Sequence, residues 1–123
     1  MCTMIYDKGD IVLIPFPFAD GAGYKKRPAL VMSCKPHHEK YARYMCLAIT
    51  SQPANPRINR YELQFDFPIE FGLILDPSWV VVDKVFSIDE SYIIRKLGQV
   101  DFDHLTRIDR MFSQILHKDL HNL

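Results

Sequence analysis

Apolar runs broken at short intervals by polar, glycine and proline residues occupy most of the chain, and helical spacing takes over only near the C-terminus. Ile11-Val12-Leu13-Ile14 is an apolar, β-branched run that Pro15 and Pro17 limit, so a strand is expected to end near Phe16 to Phe18. Asp20, Gly21 and Gly23 have turn chemistry. Lys25-Lys26-Arg27 then precede Pro28 and a second apolar run, Ala29-Leu30-Val31-Met32. The expected unit is a hairpin whose loop ends in concentrated positive charge, with Ile5 and Tyr6 of the lead-in packing on its edge.

Lys35-Pro36-His37-His38-Glu39-Lys40 reads as a polar loop, after which Tyr44 to Ile49 resumes as a buried strand that stops at Thr50-Ser51-Gln52. Pro53, Asn55 and Pro56 mark a further loop. Tyr61 to Phe65 alternates large apolar and polar residues, which turns Tyr61, Leu63 and Phe65 inward. Phe67 to Leu75 is apolar around Pro68 and Gly72 and is expected to hold a turn and a short strand before the break at Asp76-Pro77. Trp79 to Val82 and Val85 to Ile88 are strand-like and are separated by Asp83-Lys84, which leaves one bent strand or two open. Phe102, Leu105, Ile108, Met111 or Phe112, Ile115 and Leu116 recur at helical spacing, with Asp101 or Asp103 suited to cap the first turn. The pattern is mainly β with a C-terminal α-helix, and a small SH3-like β-barrel is one solution for such short, polar-punctuated strands.

A chain of 123 residues fits a single domain, 1–123, and its 48% hydrophobic content argues against extensive disorder. Fifteen basic and fifteen acidic side chains cancel, so any attraction to nucleic acid must come from a local patch. No apolar run approaches the roughly 20 residues of a membrane span and no signal-peptide order opens the chain, so a cytoplasmic protein with no membrane association is expected. Cys2, Cys34 and Cys46 are odd in number and lack CxxC spacing, which argues against a disulfide framework and a structural zinc site. No histidine and carboxylate pattern has metal-ligand spacing, so neither metal nor cofactor is expected. His37 and His38 suit an exposed loop better than acid-base work, and His104, His117 and His121 are expected to face solvent. Trp79 suits the core better than base stacking. Of Phe16 and Phe18, one ring is expected to pack inward and the other to face a groove.

Gly9-Asp10-Ile11, Phe16-Pro17-Phe18, Asp20 and Arg27-Pro28-Ala29-Leu30-Val31, in that order and spacing, resemble the first hairpin of the MazF/PemK family of toxin endoribonucleases. Ile49-Thr50-Ser51 resembles the family's strand-end hydroxyl motif, and Trp79 to Lys84 followed by Arg95-Lys96-Leu97-Gly98 resembles its later strands. Ala19 departs from the hydroxyl residue common at that place. The resemblance implies a PemK/CcdB-like barrel, a homodimer, and the toxin role in a type II toxin-antitoxin system, with a cognate antitoxin peptide as partner. It also implies metal-independent, sequence-selective cleavage of single-stranded mRNA by the RNA's own 2′-hydroxyl. By motif match it assigns catalysis to Arg27 and Thr50. A guanidinium is a planar five-donor fork suited to phosphate charge, and a threonine hydroxyl can donate to a phosphoryl oxygen. Ser51 and Gln52 are neighbouring donors, and Lys25 and Lys26 are either phosphate contacts or a solvated cluster. Asp20 either pairs with Arg27 or orders its loop. Two other functions fit the same barrel: a CcdB-like toxin that inhibits DNA gyrase without catalysis, and a degenerate relative that keeps only an interaction surface.

Overall fold

Six strands, each antiparallel to its neighbours, form one curled sheet in the order β4-β5-β3-β2-β1-β6. They are β1 (Asp10–Pro17), β2 (Tyr24–Val31), β3 (Arg43–Thr50), β4 (Arg60–Leu63), β5 (Ser78–Asp89) and β6 (Arg95–Gln99). A short helix, α1 (Lys35–Tyr41), joins β2 to β3, and α2 (Phe102–Leu116) follows β6. The computed structural model describes residues 5–17, 24–52, 57–63 and 77–118. Phe18, Asp20, Phe65 and the apolar stretch from Phe67 to Leu75 lie outside them. Among the described residues β4 and β6 stand at opposite ends of the order, so the sheet is a half-barrel.

Alternation sorts the strand residues onto two faces. Ile11, Leu13, Leu30, Leu47, Ile49, Leu63 and Val80 meet on one face, and Leu105, Ile108, Met111 and Phe112 of α2 pack against them. The helical spacing seen in the sequence thus holds, with Asp101 as the cap: its carboxylate accepts from the His104 amide at 2.8 Å. Val12, Ile14, Ala29, Val31, Tyr44 and Cys46 form the other cluster, with Tyr6, Phe16, Phe86 and Ile88. Burial pushes the Cys46 thiol up to about 12, so it stays protonated and unreactive.

Gly9 connects the lead-in to the sheet. Its φ is +93°, and a Cβ there would stand 3.0 Å from Leu105 Cδ2 of α2. Glycine satisfies both demands, and the chain then donates from Gly9 N to Val31 O (2.8 Å) and accepts at Gly9 O from Val100 N (2.9 Å). Asp10 closes the turn by accepting from the Asp7 amide at 2.8 Å and pairing with Lys96 at 3.1 Å.

Two expectations change. Lys35 to Lys40 is helical rather than a loop, with Pro36 in its first turn and Ala42 ending it at φ 54°. His38 is 3% exposed, its ring 3.8 Å from that of Tyr44. A carbonyl can only accept, so Nδ1 donates to Tyr6 O (2.7 Å), and Nε2 accepts from the Ser33 hydroxyl (2.5 Å). Ser33 Oγ in turn accepts from Met45 N at 2.9 Å. This chain of bonds satisfies a neutral imidazole, and burial lowers the pKa of His38 accordingly. The second change concerns Lys25-Lys26-Arg27, which lie within β2 opposite Phe16, Pro15 and Ile14 rather than in a loop.

The two strand-like runs on either side of Asp83-Lys84 belong to one bent strand, β5, which begins at Ser78. Where β3 steps once from Leu47 to Ala48, its partners on β5 step from Val85 to Val81. The odd number of extra residues inverts the alternation, so Val80 and Val82 face one cluster while Phe86 and Ile88 face the other. Val82 N donates to Asn59 O at 3.0 Å, which extends the contact of β5 with the segment leading into β4 by one residue beyond Arg60↔Val81.

Candidate functional site

The pairing of β2 with β3 covers only Ala29↔Ala48, Leu30↔Leu47 and Val31↔Cys46. Beyond Ala29, β2 continues paired with β1 alone, and beyond Ala48, β3 continues paired with β5 alone. The prolines account for part of this fork. Pro28 has no N–H to donate and lies in the part of β2 that has no β3 partner. Pro15 and Pro17 lie where β1 has run past its pairing with β6.

A groove of about 350 Å³ occupies the fork. Arg27 and Pro28 of β2 and Ala48, Ile49 and Thr50 of β3 line it, with Phe16 at one side. Val81 and Lys84 of β5, Arg60 of β4 and Ile58 complete it. Arg27 shares a face with Ala29, and Thr50 shares one with Ala48, so the two side chains flank the fork on the same side of the sheet. Thr50 Oγ1 accepts from Gln52 N at 3.1 Å, which leaves the hydroxyl hydrogen to donate. Phe16 packs edge-on against Phe86 with ring centroids 5.7 Å apart, and Lys84 Nζ lies 5.5 Å from the Phe16 ring centre. The charged side chains among the described lining are Arg27, Arg60 and Lys84, all cations. Such a surface can hold and stabilise negative charge.

The remaining candidates fall around the groove rather than in it. Lys25 is exposed on the face of Arg27, and Lys26 is exposed on the opposite face. Ser51 and Gln52 are exposed, and Gln52 contributes its carbonyl to Arg60 Nη1 at 2.8 Å. Trp79 pairs with Thr50 and is half-buried outside both apolar clusters, so it is not the core residue expected from its neighbours. Arg60 and Lys84 were not singled out in the sequence. The alternation that turns Tyr61 and Leu63 inward places Arg60 on the groove face, and that signal was present. Lys84 reaches the groove from the irregular part of β5, which no local pattern announces.

MazF from Deinococcus radiodurans in complex with MazE is similar to this chain at a TM-score of 0.69 and 23% identity, covering 92% of this chain and 97% of its own. The same organism's MazF solved without MazE gives 0.69 at 21% identity, covering 93% and 98%. An endoribonuclease from a mycobacterial species, in complex with its cognate antitoxin, gives 0.69 at 14% identity, covering 90% and 94%. At these identities the likeness shows the fold. No match was found among curated protein sequences. The family model described as the PemK-like, MazF-like toxin of type II toxin-antitoxin systems matches residues 7–116, and the chain belongs to that family.

Proposed function

We propose that this chain is a metal-independent endoribonuclease that cleaves single-stranded RNA in the groove between β2 and β3. The observation that carries this reading is the placement of Arg27 and Thr50 on one face at the fork, in a groove whose described charges are all positive. In the reaction the RNA's 2′-oxygen bonds to the adjacent phosphorus and the P–O5′ bond breaks. The 2′-hydroxyl gives up its proton to a base or to water, and the departing O5′ takes one up. The products are a cyclic phosphate and a 5′-hydroxyl. Arg27 stabilises the charge that grows on the phosphoryl oxygens, and Thr50 donates to one of them and fixes its orientation. Ser51, Gln52, Lys25 and Lys26 border this centre and contribute to holding the strand.

The similar Deinococcus and mycobacterial proteins were solved with MazE and with a cognate antitoxin, and a cognate antitoxin peptide is proposed as this chain's inhibitor. A homodimer is supported by Phe102 and Leu116, which extend the apolar stripe of α2 while remaining 81% and 65% exposed. No helix among the described residues is long and apolar enough to cross a membrane, and a cytoplasmic location suits an mRNA substrate. The test is incubation with a long defined RNA and its deoxy counterpart, with and without chelator, followed by mapping of the ends. Cyclic phosphate ends that persist in chelator, with the deoxy strand intact, support the reading. Tight binding to DNA gyrase with no RNA turnover would overturn it.

A further inference from the structure

Among the described groove residues, Arg60 combines a structural bond with an unsatisfied donor. It opens β4 opposite Val81, in a row that continues through Ala48 and Ala29 across the sheet. Its Nη1 donates to Gln52 O at 2.8 Å, which ties the guanidinium to the turn after Thr50. Its Nε is buried and has no hydrogen-bond partner among the described residues. A guanidinium has five N–H donors and no acceptor, so a desolvated donor beside a groove is matched by an acceptor that arrives there, a water or a ligand oxygen. Arg27 and Lys84 line the same groove, and three cations sharing it favour an anion as its occupant.

We propose that Arg60 is a second phosphate-binding residue, gripping a backbone phosphate next to the one held by Arg27 and Thr50. This rests on the RNA-cleaving reading above. Two strand spacings and two residues separate Arg60 from Thr50, roughly 12 Å between their Cα atoms on a flat sheet. Arg60 enters the groove from β4 and Thr50 from β3, with β5 between them, so the two are assigned to neighbouring phosphates of the bound strand. Lys84 and Arg27 in the same lining favour a charged phosphate over a base edge, whose acceptors carry no net charge. Held at two phosphates, the strand is fixed in register across the groove, and the bond to Gln52 keeps Arg60 aligned with the Thr50 turn.

The test uses the whole chain and a short single-stranded oligonucleotide with 2′-O-methyl groups throughout, which binds but cannot be cut. Affinity is measured across a salt series for the unmodified protein, Arg60→Gln and Arg60→Lys. Loss of one phosphate contact on a single strand lowers the slope of log affinity against log salt by about 0.7, so Arg60→Gln is expected to show that drop and Arg60→Lys to retain the slope. In the unmodified protein, the Arg60 Nε–H resonance is expected to shift as the oligonucleotide is added, a readout that needs no folded variant. An unchanged slope in folded Arg60→Gln, an unmoved Nε–H resonance, or no binding by the unmodified protein overturns the proposal. Because the probe is uncut, absence of cleavage in the RNA assay refutes the nuclease reading without altering these measurements.

Discussion

Arg27 and Thr50 occupy matching positions on β2 and β3, each two residues past Ala29↔Ala48, the last pair that joins those strands. Were the ladder to continue, the two side chains would oppose each other directly. Because it stops, they stand on either side of the groove of about 350 Å³. Arg27→Ala is expected to lower RNA cleavage about 100-fold to 1,000-fold, and Thr50→Val by a similar factor, as for other preorganised donors to a developing oxyanion. Arg27→Lys retains charge without the fork and falls between. If both act on one phosphate, the double variant loses less than the product of the single losses, which single-turnover rates on a defined RNA will show.

Gly9 is expected to resist substitution for a reason outside the groove. Gly9→Ala must hold a Cβ at φ +93° and place it 3.0 Å from Leu105 Cδ2, where α2 meets the sheet. The combined strain and displacement should cost about 1–3 kcal/mol. Thermal unfolding of Gly9→Ala beside Gly98→Ala isolates this combined cost, since Gly98 has no positive φ and nothing lies within 4 Å of a Cβ there.

His38 gives the fold a pH dependence whose direction is fixed. Burial, opposed in part by the bond to Tyr6 O and reinforced by His37, lowers its pKa from the usual 6.5. The unfolded chain therefore binds this proton more tightly than the folded one. The stabilising contribution is complete above about 6.5 and is lost as pH falls below it toward the lowered folded value. Thermal midpoints measured from about pH 7.5 to 5 should fall in the unmodified protein and flatten in His38→Gln. Asp7 does not obscure the window, because hydrogen bonds from the Lys8 and Lys35 amides lower its pKa and confine its titration to more acidic conditions.

The apolar runs were legible because burial in a sheet leaves a local signature. Ile11 to Ile14 and Tyr44 to Ile49 carry it, and both became strands. Lys25-Lys26-Arg27 carry no such signature. They are strand because β1 supplies pairing partners, a tertiary effect that overrides their polarity. Seven residues of α1 are too few to declare themselves by periodicity, and that helix depends on the burial of His38 against Tyr44. The motif residues Arg27 and Thr50 could be named from sequence, but their convergence depends on where a ladder between distant segments ends. Arg60 and Lys84 join them through β4 pairing and the irregularity in β5, both long-range facts.

The first turn of α2 offers a separate check on how the helix is fixed. Asp101 accepts from the His104 amide, while Tyr61 Oη on β4 lies 2.8 Å from His104 Nδ1. The His104 ring is thus half-buried against the sheet rather than turned to solvent as its place in the sequence suggested. The Tyr61 hydroxyl and His104 Nδ1 share a hydrogen bond, so His104 ties the helix start to the sheet by both backbone and ring. Asp101→Ala is expected to cost about 1 kcal/mol through loss of the cap. Tyr61→Phe, which keeps the ring against the core, should cost about 0.5–1.5 kcal/mol through loss of one hydrogen bond. Denaturant unfolding of the two single variants and their double measures the coupling. A double variant less destabilised than the two losses added together would show that cap and clip hold the same turn.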